Sequence, residues 1–317
     1  MTRSIFSIIN RPFNRRDFLK LQVKGALFLA AGASGLTIPG RSKAEPFPDI
    51  AVVKGPPAAA TRAAVELMGR MKNFVKPGNR VLIKPNMSFP NPPDWATTTN
   101  PLVVRELAIM CREAGASKVI IADYTLYRPE DCLERSGIPD ACRDIPDVSV
   151  TSANSGRLYR KTDFKDAVTM PSNGVLGEAL RADVLIAAPV AKSHSSTGVS
   201  LSMKGMMGLV WDRGNMHSMG LSSSIVDMCT VLKAHLTVID GTRVLTTRGP
   251  RGPGKVLKED TIIVSKDMVA ADAYTVASFE WYGKKYLPRQ VKYIREAHER
   301  GLGTMDIEKQ RVKKLAL

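Results

Sequence analysis

The 317-residue chain is 44% hydrophobic and 24% charged, which supports a substantial core and excludes wholesale disorder. Its formal net charge is +16; residues 1–44, with eight basic residues against Asp17, hold +7 of that and the remainder +9, a balance that favours small anions, envelope polymers or a membrane surface. Four cysteines (Cys111, Cys132, Cys142, Cys229) form no C-x-x-C pair, so the chain has no iron–sulfur run and no zinc knuckle.

The first element is a leader. Arg15-Arg16-Asp17-Phe18-Leu19-Lys20 has the twin-arginine pattern, with Arg15, Arg16, Phe18 and Leu19 in their places. A weakly apolar stretch from Gly25 to Ile38 follows, then Pro39, Arg41 and the small-x-small site Ser42-Lys43-Ala44. Gln22 and Lys24 cut the stretch short of the roughly 20 apolar residues that a membrane span needs. The expectation is a signal peptide over 1–44, export by the twin-arginine translocase, and a periplasmic α/β domain over 45–317. A leader left in place would tether the chain to the membrane. An exported protein rarely meets nucleic acid, which is therefore set aside as a partner. The route serves cofactor-loaded proteins and fast folders alike, so the cofactor stays open.

Short apolar strands then alternate with helices. Asp49–Lys54 reads as a strand and Ala58–Val75 as a helix with Ala63, Leu67, Met71 and Phe74 on one stripe. Arg80–Lys84 is a strand, Pro101–Ala114 a helix opened by its proline, and Lys118–Ala122 a strand ending at Asp123. Residues 128–175 are rich in turn formers and read as irregular; Cys132 and Cys142 there are either a disulfide pair or free thiols. Val184–Ala188 and Leu236–Ile239 are strands, with a serine-capped helix Ser222–His235 between them. Thr261–Val264 is a further strand, and Met268–Trp281 and Pro288–Arg300 are helices. The pattern predicts an α/β fold: one domain with a mainly parallel, doubly wound sheet flanked by helices.

In such sheets ligands sit beyond the carboxyl ends of the strands. Those ends supply Lys84, Asn86, Asp123, Lys192, His194 and Asp240, all polar. His194, in Ala191-Lys192-Ser193-His194-Ser195-Ser196, is a candidate base or metal ligand, against the plainer reading of a surface histidine. Ser200-Leu201-Ser202-Met203-Lys204 alternates as a strand would and puts Ser200, Ser202 and Lys204 on one face. A lysine beside Met206 and Met207 is a candidate for a lowered pKa. His217 joins His194 and Asp240 or Asp123 as a metal candidate, without any His-x-His or His-x-x-x-His spacing to support it. The loop Thr247–Lys255 offers Arg248 and Arg251 between glycines, either as an anion grip or as a rigid solvated turn. His235 and His298 read as structural.

Six dispersed segments then fall into register: Val81–Asn86, Ala191–His194, Leu201–Gly208, Val238–Gly241, Arg248-Gly249-Pro250-x-Gly252 and Ala270–Ala273. In this order they resemble the domain-of-unknown-function family 362. The resemblance implies a shared pocket at Lys84, Asn86, Lys192, His194, Lys204, Asp240 and Asp272. Some relatives attach ferredoxin-type cysteine clusters; this chain has none, so their electron-transfer role is not carried over. The function expected is that of an enzyme on a small carboxylate or phosphate. Lys84, Asn86, Lys192, Arg248, Arg251 and Asp272 would bind it, while His194, Lys204 and Asp240 would carry proton transfer or cofactor-assisted redox chemistry. A non-catalytic binder or maturation factor for an acidic ligand or redox partner is the alternative, and docking of the basic face on a membrane a third.

Overall fold

Val81 and Ile83 point into one core while Leu82 between them points into another, and Val119, Ile120 and Ile121 repeat the alternation one strand over. A strand buried on both faces needs apolar residues at every position, which is why these runs are continuous. The structure is a computed structural model that describes residues 46–317. The leader, with Arg15, Arg16, Phe18 and Leu19, lies outside the described residues.

The strands in chain order are β1 (Ile50–Lys54), β2 (Arg80–Pro85), β3 (Lys118–Asp123), β4 (Val148–Ser152), β5 (Tyr159–Asp163), β6 (Ser172–Leu176), β7 (Val184–Ala188), β8 (Val190–His194), β9 (Gly198–Ser200), β10 (Leu236–Leu245), β11 (Val256–Ser265), β12 (Glu280–Trp281), β13 (Lys284–Lys285) and β14 (Val312–Ala316). The main sheet runs β14-β1-β11-β10-β7-β2-β3-β4, and β8 leaves the row to pair with β10 and β9. Its pairings are parallel except those of β11 with β1 and β10, and of β8 with β9. Helices Pro57–Leu67 and Pro101–Glu113 cover one face through Ala60, Ala64, Val103 and Leu107. Helices Leu221–Cys229, Met268–Ser278 and Lys292–Glu299 cover the other through Ile225, Val269, Ala273 and Ile294. The domain is α/β with a mostly parallel, mixed sheet.

Several local expectations are corrected. Residues 128–175 are built from helices Pro129–Ser136 and Ile138–Cys142, strand β4 and the β5–β6 hairpin. Cys132 and Cys142 sit in those helices, and all four cysteines are buried free thiols. The first helix stops at Leu67, with Gly69 at φ +103 and a 3-10 turn at Met71–Asn73 beyond it. The helix expected to reach His235 ends at Cys229, and His235 Nδ1 instead accepts from Leu185 N at 3.0 Å. Val190–His194 is a strand in its own right, not a loop after β7.

The stretch expected to run on as a strand from Ser200 to Lys204 turns helical at Ser202–Gly205. The cause is remote in sequence. Asp272, on the helix Met268–Ser278, accepts from Ser202 N at 2.8 Å, Ser202 Oγ at 2.6 Å and Met203 N at 3.1 Å. A buried carboxylate thus satisfies the amides that open the turn, doing for it what a local cap does for an ordinary helix.

Candidate functional site

The ends of β2 and β3 meet a pocket of about 500 Å³ that is also walled by β8, β9, the Ser202–Gly205 turn and the short helix Arg213–Met219. Its floor is an ion pair. Lys84 Nζ lies 2.9 Å from Asp123 Oδ1, both side chains are buried, and Lys84 also donates to the Pro85 carbonyl. Asp123 Oδ2 accepts from Met87 N at 2.9 Å and Ser88 Oγ at 2.8 Å. The backbone of Gly208 presses on this pair, so that a Cβ there would stand 1.9 Å from Asp123 Oδ1. Only glycine fits.

Two further lysines line the cavity. Lys192, on β8, donates to the Thr97 carbonyl at 2.7 Å and lies 5.5 Å from the Phe89 ring centroid. Burial pushes its pKa down to about 7; the Asp123 carboxylate opposes the shift, and Lys84 and Lys204 add to it. Lys204, on the Ser202–Gly205 turn, is brought down to about 8 by burial and by the charges of Lys84 and Arg213. Its Nζ donates to the Met207 sulfur at 3.5 Å.

His194 ends β8 and is buried. Desolvation, then Lys204, Lys192 and His217, push its pKa down to about 2, so the ring is neutral across the physiological range. Ser196 N donates to its Nδ1 at 3.2 Å, which leaves the ring proton on Nε2. In that tautomer the side chain offers the pocket a donor, not a base. His217 is exposed on the pocket wall, and burial followed by Lys204 lowers its pKa as well.

Asn86 lines the pocket and braces it, its Oδ1 accepting from Val190 N at 3.0 Å to tie the end of β2 to β8. Sequence reasoning missed Arg213, Tyr124 and Phe89. Arg213 lies flat on Tyr124, with its Cζ 3.3 Å from the ring centroid, and donates to the Val210 carbonyl at 3.1 Å. A usable signal was present. Asp212 caps the helix by accepting from Asn215 N at 2.8 Å, and an aspartate before a glycine-containing polar run marks a helix start.

The structure brings together Lys84, Asn86, Asp123, Lys192, His194, Lys204 and His217, and leaves four other predicted residues outside the lining. Asp240 is buried on β10, where Asn100 N occupies Oδ2 at 2.7 Å and Thr242 N and Oγ1 occupy Oδ1 at 2.9 and 2.6 Å. With both oxygens occupied it anchors the helix start at Asn100. Asp272 acts one layer back, through the turn that carries Lys204. Arg248 is exposed, and Arg251 donates to Tyr127 Oη at 2.7 Å instead of entering the cavity. Their loop contributes Pro250 to the lining and braces β8, Gly249 N donating to Ser193 Oγ at 3.0 Å and Gly249 O accepting from Ser195 N at 3.3 Å. Among the described residues no three His, Cys, Asp or Glu side chains are grouped to hold a metal ion, so His194, His217 and Asp240 do not form the candidate ligand set.

Comparison with known proteins places the chain among its relatives. A thylakoid-associated protein of Synechocystis sp., sll1697, is 26% identical over 222 residues, spanning 68% of this chain and 67% of that one. Among solved structures, the lactate racemase apoprotein from Thermoanaerobacterium thermosaccharolyticum overlaps 68% of this chain at 12% identity with a TM-score of 0.43. The overlap takes in only 54% of that racemase, and a likeness this distant says nothing about chemistry. The family model for a domain of unknown function, DUF362, matches residues 81–277. That span runs from β2 through the helix Met268–Ser278 and encloses every lysine and histidine of the pocket, and by it the chain belongs to the DUF362 family.

Proposed function

We propose that the protein is an enzyme that binds a small carboxylate or phosphate anion in this pocket and moves a proton on it through Lys204. The observation that carries the reading is the convergence of Lys84, Lys192, Lys204 and Arg213 on one cavity whose lining includes a single carboxylate, Asp123. Cations crowded in a partly dry space repel one another, and an anion relieves that repulsion. Lys192 and Arg213 face the anion, His194 donates its Nε2 proton in a hydrogen bond, and Lys204 exchanges a proton near neutral pH. Asp240 and Asp272 hold the framework. Arg248 and Arg251 lie outside the lining.

Calorimetric titration with inorganic phosphate and with glutarate tests the binding step. A charge-assisted hydrogen bond contributes about 1.5–3 kcal/mol, so Lys192→Ala and Lys204→Ala are each expected to weaken binding by about tenfold or more. Wild-type affinity in both variants would overturn the assignment.

The Arg15-Arg16-Asp17-Phe18-Leu19 segment supports the further reading that the chain is exported by the twin-arginine translocase and works in the periplasm. Cell fractionation of an R15K/R16K variant, expected to stay in the cytoplasm, checks it. The thylakoid association in the name of the Synechocystis relative is in keeping with peripheral contact between the basic surface and an anionic membrane, a contact that high salt would release.

A further inference from the structure

We propose that Lys204 is a covalent nucleophile, whose Nζ attacks the carbonyl carbon of a small 2-oxo acid and forms an imine with it. The inference rests on the anion-binding reading above and adds the substrate class to it.

Each of the three pocket lysines stands in a different relation to its surroundings. Lys84 has the Asp123 carboxylate and the Pro85 carbonyl. Lys192 has the Thr97 carbonyl. Lys204 Nζ meets only a thioether, a weak acceptor, and among the described residues no oxygen hydrogen-bonds to it. Its charged neighbours, Lys84 and Arg213, are both cations. An ammonium that no protein oxygen bonds, set among other cations, gives up its proton more readily, and the amine left behind is the nucleophilic form. At about 8, its pKa leaves an appreciable amine fraction at neutral pH.

The support for this group is stiff. Lys204 rides on a turn whose first amides are bonded to buried Asp272, so its backbone is fixed from a separate helix. The rest of the lining suits a 2-oxo acid. Lys192 and Arg213 supply charge for the carboxylate, Phe89 and Tyr124 supply flat apolar surface, and His194 presents Nε2–H to the oxygen that develops charge on attack. Lys84, Lys192 and Arg213 already supply charge for the anion, and of the three pocket lysines Lys204 alone has no protein oxygen bonded to its Nζ among the described residues.

The step balances without an oxidant or reductant. The Nζ lone pair forms the C–N bond, the C=O π pair moves to oxygen, and the proton shed by nitrogen neutralises it. The carbinolamine hydroxyl takes up a second proton from solvent and leaves as water while the nitrogen lone pair closes the C=N bond, and the protonated imine returns that proton to solvent or keeps it as the iminium that the hydride reduces.

The test incubates the full chain with sodium cyanoborohydride and, separately, glyoxylate, pyruvate, 2-oxoglutarate and phenylpyruvate, then maps adducts by peptide mass spectrometry. Acetate, propionate, glutarate and phenylpropionate, which lack the oxo group, are titrated calorimetrically in parallel. The expected result is a reduced adduct on Lys204, suppressed by the matching oxo-free acid. Its rate should exceed that of exposed lysines by on the order of a hundredfold, following the depressed pKa. The Lys204→Arg variant is expected to melt as the wild type does and to give no adduct there. Binding of the oxo-free acids with no adduct on Lys204, or an adduct on Lys192 in its place, overturns the nucleophile and leaves anion binding standing. No binding of the four oxo-free acids together with no adduct from the four oxo acids overturns both.

Discussion

A methyl group added at Gly208 would stand 1.9 Å from Asp123 Oδ1 and 2.4 Å from Lys84 Cε. It could be seated only by displacing these two side chains. Overpacking a buried site costs about 1–3 kcal/mol, so Gly208→Ala is expected to lose about that much in a urea unfolding series. A second expectation concerns protons. Lys192 and Lys204 hold an anion in their protonated forms, so affinity for glutarate should fall as pH rises through about 7 and then about 8. A bound anion raises both pKa values, and calorimetry in buffers of different ionisation enthalpy should therefore detect proton uptake on binding. The strand-end rule made Lys84, Asn86, Asp123, Lys192 and His194 legible, because it depends only on where apolar runs stop. Gly208 was visible as a letter but not as a contact, since its reason is an ion pair between residues of two other strands. Arg213 escaped because its helix start was read as part of a glycine-punctuated loop and its partner, Tyr124, lies on another segment.

At the level of elements, the site depends on two buried carboxylates that never reach the cavity. Asp272→Ala would strip the partners from Ser202 N and Met203 N, and orphaned buried amides cost about 1–3 kcal/mol each. The expected result is a comparable loss of stability together with weaker anion binding, because the turn carrying Lys204 loses its anchor; thermal unfolding and titration measure the two separately. Asp240 stands in the same relation to the helix that begins at Asn100. Both aspartates were recognised as important, and both were given roles facing the ligand. The sequence shows that Asp240 follows a strand and that Asp272 lies within a helix; which backbone amides they meet across 140 and 70 residues is a property of the folded chain. The Ser200–Lys204 stretch failed for that reason too, its alternating pattern being overruled by a cap from another element. The strands and helices between Ile50 and Asp123 were legible because their periodicity is local, whereas the short helices and strands of residues 128–175 were not, since their turn formers hide any period.

For the whole molecule, the pocket lysines should impose a pH signature on stability. An unfolded lysine keeps its proton up to about 10.5, whereas Lys192 and Lys204 release theirs at about 7 and about 8 in the fold. Asp272, raised to about 7 by burial, acts in the opposite sense until it has ionised; above its range the unfolded chain binds more protons, and by linkage the ligand-free fold should gain stability as pH rises. The window closes where thiols begin to titrate, since Cys111, Cys132, Cys142 and Cys229 all have raised pKa values and act in the opposite sense. Chemical unfolding at several pH values below the thiol range checks the slope, and a flat or falling profile would show that the lysines are not depressed together. A saturating anion should reverse the trend, since it favours the protonated lysines.

The same burial of the thiols has a practical side. None of the chain's four cysteines is open to solvent, so a maleimide dye finds no native attachment point on the folded protein. Leu126 borders the pocket and is 55% exposed, and a cysteine substituted there would be the single labelling position. A fluorophore at that rim would turn occupancy of the cavity into an optical signal and allow ligands to be screened without knowing the reaction in advance.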